Sequence, residues 1–236
     1  MALAIDIETM ERLHVVPLPP ITCICMYDAA EDKKYQLKFW KIPDDEREKN
    51  KSLVLSLLDR STCIIGYNVV MFDLEFIKRS FPDCVDDKRM SDWVLKTVDP
   101  FMFLKYIFKN TCKLDSLLVL NKLNSKSGSG SNAIVLAEEE RWQELLDYCM
   151  DDTMLTYQLF SSHFIVCCDG DQHSNIQISP VVFLKWNNVL STFNGEKFVS
   201  IHYDTCKNQC PSSDSEWKID EMSHDAIQYL LNEYDE

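Results

Sequence analysis

Near its N-terminus the chain runs Leu3-Ala4-Ile5-Asp6-Ile7-Glu8-Thr9, an apolar stretch interrupted by two carboxylates two residues apart. In a strand, residues i and i+2 share a face. Asp6 and Glu8 therefore stand side by side with Ala4 in line, while Ile5 and Ile7 point the opposite way. Two anions so placed repel unless a cation lies between them, and a hard cation bound through carboxylate oxygen is the natural partner. The simpler alternative is a sheet-edge strand with two solvated acids. The choice rests on whether other parts of the chain supply carboxylates in matching contexts.

Residues 2–8 read as a strand, and Pro17, Pro19 and Pro20 make the next segment a loop. Ile21–Tyr27 and Tyr35–Trp40 alternate around the polar link Asp28–Lys34, a hairpin pattern. Residues 45–60 read as a helix with Leu53, Leu57 and Leu58 inward, leading into a strand Thr62–Tyr67. Helical patterns follow: one marked by Phe72, Phe76 and Ile77, one over 101–108 after Pro100, and one marked by Leu114, Leu117, Leu118 and Leu120. Residues 124–132, Asn-Ser-Lys-Ser-Gly-Ser-Gly-Ser-Asn, read as a flexible loop, and 137–166 as a long helix broken near Met150. This order predicts an α/β fold, a mixed β-sheet flanked by α-helices.

Two further stretches carry candidate chemistry. In Gly66-Tyr67-Asn68-Val69-Val70-Met71-Phe72-Asp73 a strand gives way to a helix expected to begin near Val70. Asp73 falls in the first turn, where the helix dipole favours an anion, and Asn68 can contact a ligand or cap the helix. In Tyr148-Cys149-Met150-Asp151-Asp152, Tyr148 and Asp152 are four apart and share a helix face. Taken singly, these stretches are better explained as a capped helix with a surface aspartate and a helix with an exposed acidic pair.

Together, Asp6 and Glu8, then Asp73, then Tyr148 with Asp152 resemble the three motifs of the DEDD superfamily of 3′–5′ exonucleases. The Tyr-x3-Asp form is that of the tyrosine (DEDDy) branch; the histidine branch would carry His where this chain has Asp147. Asp-Ile-Glu-Thr, Gly-Tyr-Asn-x3-Phe-Asp and Lys113-Leu114-Asp115-Ser116-Leu117 are similar to the proofreading exonuclease domain of family B DNA polymerases. The resemblance covers roughly residues 1–168 and implies a ribonuclease H-like domain. Residues 169–236 are left as a C-terminal extension, partly packed, with a loose acidic tail. It also implies two divalent metal ions, Mg²⁺ or Mn²⁺, on Asp6, Glu8, Asp73 and Asp152, with Tyr148 orienting the attacking water. Thr9, Met10, Asn68 and Phe72 would then contact a terminal nucleotide. The implied function is release of nucleoside 5′-monophosphates from single-stranded 3′ ends, DNA favoured over RNA, in replication or repair. An inactive nuclease-fold binding or scaffolding protein is the alternative.

The net charge of −14 argues against broad electrostatic attachment to nucleic acid. The charge is uneven, however. Residues 88–126 carry eight basic side chains against three acids, whereas 211–236 carry eight acids and one lysine. Lys105, Lys109 and Lys113, spaced by four, predict one basic helix face able to grip a strand. No apolar run is long enough for a bilayer, and the start lacks a signal-peptide pattern. The ten cysteines are therefore read mostly as reduced core thiols of an intracellular protein, cytoplasmic or nuclear. His202, Cys206, Cys210 and His224 could form a zinc site, but the remote second histidine favours free thiols.

Overall fold

Strand β1 (Ala2–Thr9) is the spine of the sheet. It pairs antiparallel with β2 (Ile21–Asp28), which pairs antiparallel with the edge strand β3 (Lys33–Lys38). On its other side β1 pairs in parallel with β4 (Cys63–Ile65), and β4 in parallel with β5 (Thr97–Val98), giving the order β3-β2-β1-β4-β5. The computed structural model describes residues 1–101, 113–124, 130–161, 165–168 and 175–178.

Helices cover both faces. On one side α1 (Asp44–Arg60), α2 (Asp73–Ser80) and α3 (Asp87–Leu95) enclose Leu3, Ile5 and Ile7 with Ile24, Met26, Leu57, Leu58 and Phe76. On the other lie α4 (Leu114–Leu120), α5 (Gly130–Glu138) and α6 (Trp142–Phe160). There Ala4 packs with Leu117, Leu118 and Leu159, and Cys23 and Cys25 pack with Leu145 and Cys149. The alternation in β1 thus sorts Leu3, Ile5 and Ile7 to one layer and Ala4, Asp6 and Glu8 to the other.

Several boundaries differ from the sequence expectations. The strand expected over 62–67 stops at Ile65, and the helix expected from Val70 begins at Asp73. Gly130, Ser131 and Asn132, read as loop, belong to α5, because Ala133 and Ala137 gain a buried place against β2 and α6. The helix expected over 137–166 is α6 alone, unbroken at Met150. The interruption falls at Glu139–Arg141, where Glu140 has φ 58°, and residues from Ile165 form a strand. That strand, β6 (Ile165–Cys168), pairs antiparallel with β7 (Asn175–Ile178). Asn121 docks it by accepting from Val166 N (2.7 Å) and donating to Val166 O (2.9 Å).

Lys113 precedes α4 in an extended conformation. The expected row Lys105, Lys109, Lys113 therefore does not continue as one helix to its last member. Lys105 and Lys109, the helix expected over 101–108 and the zinc-like tail residues lie outside the described residues.

Candidate active site

Because β4 is only three residues long, its ladder with β1 ends at Ala4↔Ile65. Beyond that point the β1 edge facing β4 has no strand beside it among the described residues. Asp73, the first residue of α2, takes the place: its Oδ1 accepts from Ile7 N at 2.9 Å. The Asp73 carboxyl is thereby fixed against the segment that bears Asp6 and Glu8. The β1–β2 register also shifts between Glu8 and Thr9, so β1 is irregular where its carboxylates end.

On the opposite side α6 crosses β1 and β2. It brings Asp152, 1% exposed, onto Asp6 and Glu8, and one oxygen from each of the three lies within 4.8 Å of the others. Tyr148, one turn earlier and 8% exposed, lies beside Asp152. Cys149 anchors the crossing: its Sγ donates to Asp6 O at 3.4 Å and to Asp6 Oδ2 at 3.5 Å.

Crowding these acids perturbs them. Burial is the main cause that lifts the Asp73 carboxyl well above its ordinary range, with the Asp6 charge adding and the Ile7 N–H opposing. Burial likewise raises the Tyr148 phenol far above its usual value, helped by the charges of Asp152, Glu8 and Asp6. Tyr148 is therefore a protonated donor at neutral pH.

The loop between β4 and α2 depends on a residue that sequence reading passed over. Asp99, just after β5 and 2% exposed, accepts from Asn68 N (2.8 Å), Val70 N (3.1 Å) and Phe101 N (3.1 Å). Three backbone donors satisfy much of its charge, yet burial still pushes its carboxyl up to about 6. Asn68 takes φ 61°, a left-handed conformation that Asn tolerates better than most residues. Gly66 is needed for closeness: a Cβ there would stand 2.4 Å from Val69 Cβ. The signal in the sequence was a lone acid between the β-branched Thr97-Val98 and Pro100.

The residues expected to meet a nucleotide are placed unevenly. Asn68 does not cap α2, whose N-cap is Phe72 with no side-chain bond. Its Oδ1 is buried with no hydrogen-bond partner among the described residues. Phe72 is half-buried and packs edge-on against Phe76, ring centroids 5.0 Å apart. The Thr9 hydroxyl donates to Glu11 O at 2.8 Å, so it serves the turn after β1, and Met10 packs against the buried cluster of β2, α5 and α6. A cleft of about 520 Å³ opens between α5 and α6, with Tyr148 in its wall beside Asn132, Leu136 and Asp147.

A family model, that of the RNase H superfamily, matches residues 3–163, the span that holds the 3-2-1-4-5 sheet and the carboxylates of β1 and α6. The chain belongs to the RNase H superfamily. No curated protein matches it. RNase H-like membership points to nuclease-type chemistry, with nucleic acid as the ligand class. The donor set fits a divalent metal: three carboxylates converge, all offer oxygen, and such ligands suit Mg²⁺ or Mn²⁺. No helix among the described residues is long and apolar enough to cross a membrane.

Proposed function

We propose that this RNase H-like chain is a metal-dependent 3′–5′ exonuclease acting on single-stranded ends. The observation that carries the reading is the convergence of Asp6, Glu8 and Asp152 within 4.8 Å, with the protonated Tyr148 beside Asp152. These groups come from elements more than a hundred residues apart, and a solvated acidic surface gives no reason for them to meet.

In this reading Asp6 would contribute to both cations, Glu8 and Asp152 would hold one, and Asp73 would hold the other through the oxygen not bonded to Ile7. Such cations would supply neutralisation of the scissile phosphate and a lowered pKa for a water. The chain's own part is to place and orient. Tyr148 holds the attacking water by hydrogen bonding, since its raised pKa makes it a poor base. The amide oxygen of Asn68, which has no partner among the described residues, and the Phe72 ring receive the terminal nucleotide, with Thr9 and Met10 at its border. Water attacks phosphorus, the bond to the penultimate O3′ breaks, and that oxygen leaves with a proton, freeing a nucleoside 5′-monophosphate. The resemblance to proofreading domains favours DNA over RNA.

The test uses single strands labelled at the 3′ or the 5′ end, incubated with Mg²⁺ or Mn²⁺. Early release of labelled mononucleotide from the 3′ end, absent in Asp6→Ala, is the expected result. Internal cuts, 5′ release, or equal rates in wild type and Asp6→Ala would refute the reading. Matched DNA and RNA strands measured side by side set the sugar preference.

A further inference from the structure

Residues 33–41 read Lys-Lys-Tyr-Gln-Leu-Lys-Phe-Trp-Lys, four lysines and three aromatics with no acid, in a chain of net charge −14. This run is β3 and its exit, and the register places it relative to the carboxylates. Glu8 pairs with Cys23, and Cys23 with Lys38. Directly paired residues on neighbouring strands share a sheet face. Lys38 is therefore on the face of Asp6 and Glu8, two strand spacings or about 10 Å across the sheet. The rings nearby complete a surface. Lys38 Nζ lies 3.7 Å from the centroid of the Trp142 ring, and Lys41 Nζ lies 4.6 Å from that of Trp40. The two indoles meet edge to face, centroids 6.1 Å apart, and both are only half-buried. Met10, just after β1, packs against the same buried cluster of β2, α5 and α6 as Trp40 and Trp142.

We propose that Lys38, Trp40, Lys41 and Trp142 form a ledge that binds the single-stranded nucleic acid upstream of the 3′ end. Indole faces stack bases without regard to sequence, and cations beside them meet the phosphates. Lys38 makes no salt bridge among the described residues, and its charge acts on Glu140 only at longer range, an attraction for which a phosphate would compete. Lys41 is paired with Glu140 at 2.6 Å, a contact that a phosphate would exchange. Edge strands also carry lysine simply to discourage sheet-to-sheet association, and the test separates that role from binding. The ledge shares the nucleic-acid half of the proposed function but needs no catalysis.

The experiment measures binding of a fluorescein-labelled deoxythymidine oligonucleotide to the full chain in EDTA, by anisotropy and by tryptophan quenching, across a salt series. Wild type is expected to bind with quenching. Lys38→Gln is expected to weaken binding several-fold and reduce the slope of log affinity against log salt by ~0.7. Trp40→Phe is expected to remove part of the quenching while retaining most of the affinity, because a stacking ring remains. Trp142→Ala serves only if its melting curve shows folded protein; the exposed Lys41→Gln stands in otherwise. Unchanged affinity and salt slope in both lysine variants overturn the ledge, whether or not their solubility falls. The two readings fail separately. A wild type that cleaves but whose ledge variants bind normally loses the ledge alone; one that binds with quenching but never cleaves loses the nuclease alone.

Discussion

The two halves of the candidate site are built by different means. Asp6, Glu8, Tyr148 and Asp152 stand on regular elements, a central strand and a long helix, whose periodicity alone decides where they point. Asn68 and Asp73 depend on a loop with a left-handed asparagine, an obligatory close approach at Gly66 and a buried charge at Asp99. The first half should tolerate substitution of its functional groups without loss of fold. The second ties placement of its carboxylate to stability and to pH.

The largest effect expected is on the regular half. Asp6→Ala should cut nuclease activity by about 10³-fold, the scale of removing a preorganised electrostatic group. Its metal-free melting temperature should equal or exceed that of wild type, because one of several crowded anions is gone. A large fall in melting temperature would mean that Asp6 is structural and would break the comparison.

Asp99→Asn is the matching change in the loop half. Its amide would turn a donor toward backbone N–H groups, so a stability loss of about 1–3 kcal/mol is expected in denaturant unfolding. The apparent Mg²⁺ requirement should rise as Asp73 loses its fixed place. Normal stability and metal dependence would show that the loop does not need its buried anchor. Gly66→Ala should cost about 1–3 kcal/mol through the clash with Val69, again with weakened metal dependence rather than altered chemistry.

The pH dependence is expected to separate the halves further. Asp99 has a folded pKa of about 6 against an ordinary 3.8. Between those values the native protein keeps a proton that the unfolded chain has lost. Stability from this group is thus fully present below about pH 4, falls as pH rises, and levels off above about pH 6. The full span is about 3 kcal/mol. Subtracting the unfolding profile of Asp99→Asn, which cannot titrate there, should expose that decline in wild type; parallel profiles would refute it.

The smallest effect is expected at Tyr148. Removing one water-orienting hydroxyl as Tyr148→Phe should slow cleavage by about tenfold, with metal dependence and stability near wild type. A loss as large as that of Asp6→Ala would instead make the phenol essential to the chemistry.

Legibility in the sequence follows the same division. The spacing of two in β1 and of four in α6 predicted which acids share a face; the element order gave the α/β layering, and the RNase H-like identity came from the motifs' resemblance to DEDD exonucleases. Asp99 was invisible because a buried anchor looks like any surface aspartate until its backbone donors are known. Helix α5 was hidden because Gly130 and Ser131 have poor helix propensity, and only contact of Ala133 and Ala137 with β2 and α6 makes the helix worthwhile. Two-residue β5 is too short to carry a period. The aromatic lysine run of β3 was read as a strand, but its place beside Glu8 required the register across two strands.

The claim joining both halves is that they share cations. Mn²⁺ binding followed by electron paramagnetic resonance, in wild type, Asp6→Ala and Asp73→Asn, tests it most directly. Wild type should bind Mn²⁺ at two sites, Asp73→Asn should retain one, and Asp6→Ala should lose tight binding altogether. Undiminished Mn²⁺ binding by Asp6→Ala would contradict the account.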